Sequence, residues 1–131
     1  MSPATKVLDA SALLALLLDE PGAEATAQAL DEGEALICAA NLAEVVGRLA
    51  LLGNAPANIR AALGPLGLRV LEVDEELAFH AGLMAPTTKA LGLSLGDRLC
   101  LATAERIKGT VLTTDRMMMK WKGRAKVVCV R

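Results

Sequence analysis

Aromatic side chains are almost missing from this chain: its 131 residues include one Phe, one Trp and no Tyr. The core must then be built from Leu, Ala and Val, and with 53% of the residues hydrophobic some apolar surface is expected to remain for a partner, in an oligomer or an obligate complex. Histidine is nearly absent too. One His (His80) and no closely spaced pair of cysteines leave a zinc site almost without ligands. The three cysteines, Cys38, Cys100 and Cys129, are far apart and each lies in an apolar run, so they read as reduced core residues of a cytoplasmic protein. Long hydrophobic runs are lacking. The stretch Ala12 to Leu18 is too short to cross a bilayer, Asp9 precedes it and "DEPG" follows it, which argues against a leader peptide and for a soluble protein with no membrane role. No Gly-rich phosphate loop occurs, and "DAS" lacks the second aspartate of a D-x-D pair, which ranks a phosphohydrolase last among the possible activities.

What is present is a regular alternation of short apolar strands and helices. Strands are predicted at Lys6–Asp9, Ala35–Cys38, Arg69–Val73, Thr110–Thr113 and Lys126–Val130, all short and rich in apolar or β-branched residues. Helices are predicted between them. "SALLALLLDE" is broken by Pro21 and Gly22, and "AEATAQALDEG" ends at Gly33. "NLAEVVGRLALLG" carries Leu42, Val45, Val46, Leu49 and Leu52 on one face, "APANIRAALG" starts at Pro56, "DEELAFHAGLMA" stops before Pro86, and "SLGDRLCLATAERIKG" runs from Ser94 to Gly109. This order predicts one domain over residues 1–131: an α/β fold of three layers, α/β/α, around a short central parallel sheet of about five strands. Sheets of this kind bind ligands beyond the carboxyl ends of their strands.

Asp9 and Asp115 fall at those ends. Each has an ordinary explanation, Asp9 as a helix N-cap or Asx turn in competition with Ser11, and Asp115 as a turn residue after "VLTT". Asp97 fits a capping box with Ser94, although the helix it opens, "RLCLATA", is more apolar than a surface helix requires. Glu44 lies off the centre of its helix's apolar stripe and reads from periodicity as a solvated residue. His80 reads as packed or half-exposed rather than as a base. Yet Asp9, Asp97 and Asp115 each occupy a strand or helix end on one rim of the predicted sheet. Carboxylates gathered without a cation repel and raise one another's pKa, so keeping them ionised calls for a metal, and hard oxygen ligands select Mg²⁺ or Mn²⁺.

Taken together, "VLDASALLALLLDEPG", "AANLAEVVGRL", "GLSLGDRLCLATA" and "VLTTDR", in this order, resemble the PIN domain, and most closely the VapC-type toxins of bacterial and archaeal toxin–antitoxin pairs. The resemblance covers essentially the whole chain. It places the family's acidic quartet on Asp9, Glu44, Asp97 and Asp115, as catalytic and metal-holding residues, which gives Glu44 a role that periodicity alone does not. It assigns Ser11 and Thr113 to steadying carboxylates or waters. It implies an Mg²⁺- or Mn²⁺-dependent endoribonuclease that hydrolyses RNA phosphodiester bonds with a metal-activated water, the toxin of a type II pair, working with a cognate antitoxin and forming a homodimer.

The chain's net charge is −1, but from Arg116 onward Arg and Lys occur with no acid among them. RNA approaching an acidic rim needs nearby cations, for which Arg98, beside Asp97, and Arg116 are the candidates. Trp121, among three methionines and lysines, reads as packing rather than as a base-stacking platform. The alternative to an enzyme is a non-catalytic module that binds RNA or protein and uses the acids to hold a structural cation.

Overall fold

A computed structural model describes residues 5–131. Five strands, β1 (Lys6–Leu8), β2 (Ala35–Cys38), β3 (Arg69–Leu71), β4 (Thr110–Thr113) and β5 (Lys126–Cys129), form one sheet in the order β3-β2-β1-β4-β5, with every pair parallel. Parallel neighbours need long crossovers, and these are supplied by α1 (Ala10–Leu17), α2 (Ala23–Glu32), α3 (Ala39–Leu51), α4 (Pro56–Leu63), α5 (Glu75–Leu83), α6 (Ala85–Thr88) and α7 (Leu95–Ile107).

Successive strand residues point to opposite faces, and both faces are apolar. Val7, Cys38 and Val111 join the core beneath α5 and α7, whereas Leu8, Ile37 and Leu112 join the one beneath α1, α2, α3 and α4. This gives the three-layer sandwich expected of continuous apolar strands. The three inner strands carry the burial, while the edge strand β3 exposes Arg69 and Val70. No helix among the described residues is long and apolar enough to cross a membrane.

The winding reverses at β1. β2 and β3 lie on one side of it and β4 and β5 on the other, so the crevice at the carboxyl ends of β1 and β4 is the topological switch point where such folds place ligands. Asp9 directly follows β1 and Asp115 lies two residues beyond β4.

Several expectations need correction. β1 ends at Leu8 because Asp9 becomes the N-cap of α1, and β3 and β5 stop one or two residues early, as edge strands with one pairing neighbour do. The buried stripe of α3 is Asn41, Val45 and Leu49, spaced by four residues; Leu52 lies past the helix end, 51% exposed. Cys129 is a half-buried edge-strand residue, not a core one. α5 does stop before Pro86, at Leu83, and Pro86 itself sits in the first turn of the short α6, where its missing N–H costs nothing.

Leu101 of α7 is fully buried, so Leu101→Ala is expected to lower the unfolding free energy by about 2–5 kcal/mol. Leu51→Ala, at a side chain 86% exposed, is expected to change it by less than about 0.5 kcal/mol. Urea denaturation followed by circular dichroism measures both.

Candidate active site

The site is organised by one buried carboxylate. Asp9 is 3% exposed and caps α1, accepting the Ala12 N–H on Oδ1 at 2.8 Å. The Ser11 hydroxyl donates to the same oxygen at 2.6 Å, and the buried Thr113 hydroxyl donates to Oδ2 at 2.5 Å. Both hydroxyls also receive backbone donors from the segment after β4: Thr114 N–H reaches Ser11 Oγ at 2.9 Å and Asp115 N–H reaches Thr113 Oγ1 at 3.0 Å. Ser11 and Thr113 therefore pin the β1 tip to the β4 tip through the Asp9 side chain.

Asp115 caps the short 3₁₀ turn Arg116–Lys120, its Oδ1 accepting the Met117 N–H at 2.9 Å. Asp97 completes the capping box of α7, with Oδ2 accepting the Ser94 N–H at 2.8 Å while Ser94 Oγ accepts the Asp97 N–H at 3.2 Å. The three aspartates thus cap helical turns, as their local sequences indicate, and two of them, Asp9 and Asp97, lie within each other's electrostatic reach. Burial pushes the Asp9 carboxyl above the ordinary aspartate range against the pull of its hydrogen bonds from Ser11, Thr113 and Ala12, and the negative charge of Asp97 adds to the rise. The buried Cys100 thiol, one turn along α7 from Asp97, reports the same field. Burial raises it well above its ordinary value, and Asp9, the neighbouring Cys38, Asp97 and Glu44 push in the same direction.

Glu44 is exposed, as periodicity predicts, yet it is not free. Its Oε1 accepts from Asn41 Nδ2 at 2.8 Å, and the same amide donates to the Gly96 carbonyl at 3.0 Å. The Glu44 carboxylate lies so close to Gly96 that a β-carbon there would stand 2.5 Å from Oε1. The helix following β2 is thereby joined to the first turn of α7, beside Asp97. Asn41 and Gly96 are the two residues that sequence reasoning misses. The available signal is a buried amide on the apolar stripe of α3, three residues before an acid.

The remaining candidates lie differently. Arg116 is exposed next to Asp115, whereas Arg98 donates from Nη1 to the Ala81 carbonyl at 3.2 Å, which turns part of its guanidinium toward α5. His80 is away from the acids, its Nε2 2.8 Å from Glu105 Oε1. Trp121 is half-buried against the α5–α7 core.

The donor set is made of carboxylates and hydroxyls, which suits a hard divalent cation. Among the described residues no three acidic, His or Cys side chains stand close enough to enclose one ion, and Asp97 and Asp115 are turned toward backbone N–H groups of their own turns. Each of these two carboxylates spends one oxygen on its cap.

A family profile described as the PIN domain matches residues 6–122. The chain belongs to the PIN-domain family. No curated protein matches its sequence. Among solved structures, VapBC from Salmonella typhimurium bound to DNA is similar at a TM-score of 0.75 and 18% identity, over 97% of this chain and 98% of that one. VapBC2 from Rickettsia felis, bound to a DNA fragment from its promoter, is similar at 0.74 and 13%, over 95% and 97%. VapC20 from Mycobacterium tuberculosis, a sarcin–ricin loop cleaving toxin, is similar at 0.73 and 16%, over 92% and 98%. At these identities the likeness is one of fold.

Because the fold favours the protonated form of Asp9, the contribution of this residue to stability is full below the ordinary aspartate value of 3.8 and is lost as pH rises through the elevated native value. In chelator at neutral pH, Asp9→Asn is therefore expected to melt above the native protein, with the advantage shrinking to nothing as pH falls below that ordinary value. Calorimetric scans across pH measure it, and a variant that melts lower than the native protein at neutral pH would show that the carboxylate is not the strained group.

Proposed function

We propose that the chain is a divalent-metal-dependent endoribonuclease, hydrolysing RNA phosphodiester bonds, and the toxin of a toxin–antitoxin pair. The observation that supports the reading is a buried carboxylate, Asp9, at the switch point, in the field of Asp97 and tied through Thr113 to the segment that carries Asp115. Membership of the PIN-domain family supports a nuclease, and the fold's likeness to VapBC structures and to a toxin described as cleaving the sarcin–ricin loop supports the substrate and the partner.

Asp9, Asp97 and Asp115 would hold Mg²⁺ or Mn²⁺, and Glu44 a second ion or a water. A bound ion of this type neutralises phosphate charge and lowers the pKa of a bound water. Asp9 is prepared for the task by Ser11 and Thr113, whose hydroxyls fix both of its oxygens and leave it little freedom to reorient. Asp97 and Asp115 are fixed to backbone N–H groups by one oxygen each, which sets their position through rigid helix ends. Arg116 extends from the rim beside Asp115 and would meet the RNA backbone, with Arg98 in a lesser part because of its bond to Ala81.

Partners are supported by apolar side chains left in solvent. Leu51, Phe79, Leu83 and Leu95 are all more than half exposed, with Leu95 in the same turn of α7 as Asp97. We assign such surface to a cognate antitoxin and to a second copy of the chain. The action would take place in the cytoplasm, where its RNA is.

Purified protein incubated with total cellular RNA is expected to yield discrete fragments with Mg²⁺ or Mn²⁺ and none in chelator. Asp97→Asn is expected to cut at least about 10–100-fold more slowly, the range seen on losing a group that merely supports a metal ligand. Equal cutting by the variant would remove Asp97 from the site. Absence of any metal-dependent cutting by the native protein would favour the non-catalytic binding module.

A further inference from the structure

We infer that Asn41 and Gly96 are positioning residues for the Glu44 carboxylate: the amide holds it from α3, and the missing side chain of the glycine makes room for it on α7. The inference rests on the reading of the acidic rim as a metal-dependent site, and it adds to that reading two residues that are neither acids nor ligands.

Asn41 is 1% exposed, among the most deeply buried polar side chains of the molecule. Its orientation is dictated by its neighbours. Glu44 Oε1 at 2.8 Å and the Gly96 carbonyl at 3.0 Å are both acceptors, so the NH₂ group must face them. The consequence is that Asn41 Oδ1 points into the interior with no donor. A buried acceptor left without a partner is costly, and a leucine of nearly the same size would avoid the cost while packing with Val45 and Leu49 on the same stripe. What the amide gains in return is a donor placed between α3 and α7, whose two bonds fix both the side chain of Glu44 and the helix end that carries Asp97.

Gly96 completes the arrangement. It occupies the second position of α7, where alanine is the better helix former, and its backbone is not in the left-handed region that would demand glycine. The space is what demands it. A β-carbon would lie 2.5 Å from Oε1, 2.7 Å from Oε2 and 2.8 Å from Cδ of Glu44, and no other neighbour comes as close. Since the clashing atoms are the free end of a flexible side chain, an alanine would be relieved by driving the carboxylate away, at little cost to the fold. Stability and site geometry are therefore expected to respond in opposite directions at this residue.

The test is a double-mutant cycle on Mn²⁺ affinity, read by electron paramagnetic resonance of the free ion, with kcat and KM for RNA cleavage and the melting temperature measured alongside. Asn41→Leu and Gly96→Ala are each expected to weaken Mn²⁺ binding by about 10-fold or more. Both should lower kcat with KM for RNA nearly unchanged, and Gly96→Ala should melt no lower than the native protein. In a Glu44→Ala background both substitutions are expected to be silent, because the group they act through is gone. Native Mn²⁺ affinity in the two single variants, or an undiminished effect in the Glu44→Ala background, overturns the inference. Should Asn41→Leu fail to fold, Gly96→Ala decides the matter alone. Native protein that binds Mn²⁺ but cuts no RNA sinks the proposed activity and leaves the Mn²⁺ cycle to judge the inference; native protein that binds no Mn²⁺ overturns both.

Discussion

A carboxylate taken out of water is among the most expensive groups a fold can carry, and Asp9 is such a group, held at the junction of two inner strands by Ser11, Thr113 and the first turn of α1. The arrangement works because the sheet reverses its winding at β1, so that β1 and β4 deliver their tips side by side. Hydrogen bonds satisfy the oxygens of Asp9 but do not cancel its charge, and its carboxyl remains raised by burial and by Asp97. That residual charge is the physical demand which a cation would meet.

The same residues serve the local structure and the site. Asp9, Asp97 and Asp115 each accept a backbone N–H at a helix start, so each stabilises its own element. Capping is also what makes them rigid. A carboxylate tied to the first turn of a helix moves only with that helix, and the helix starts are fixed by the sheet. The two explanations that the sequence offers for Asp97 and Asp115 are accordingly not rivals: each carboxylate spends one oxygen on its cap and keeps the other.

Much of this was legible from the chain. Five short apolar runs separated by helical stretches predict the parallel three-layer architecture, and the strand limits differ from the observed ones only where Asp9 leaves β1 to cap α1 and where the edge strands fray. Three acids of the proposed site are singled out by placing strand and helix ends on that architecture. Glu44 does not follow, because an exposed residue off the apolar stripe has the periodicity of any solvated glutamate; resemblance to the PIN domain was needed to single it out. Asn41 and Gly96 escaped altogether. Their significance lies in a contact between α3 and α7 across 55 residues of sequence, and neither helical periodicity nor turn chemistry carries information about such a contact. Leu52, read as core, is exposed because α3 ends before it and its stripe runs through Asn41, Val45 and Leu49 instead.

The proposed site is a spatial one: acids carried on four distant segments would share one divalent ion at the switch point. Diffraction from crystals soaked in Mn²⁺, recorded for the ion's anomalous signal, tests it directly. A peak is expected between Asp9, Asp97 and Asp115, with Glu44 at its edge and the uncapped oxygens of Asp97 and Asp115 reaching the ion directly or through water. A Mn²⁺ peak elsewhere on the molecule, with the rim empty, would contradict the proposed site.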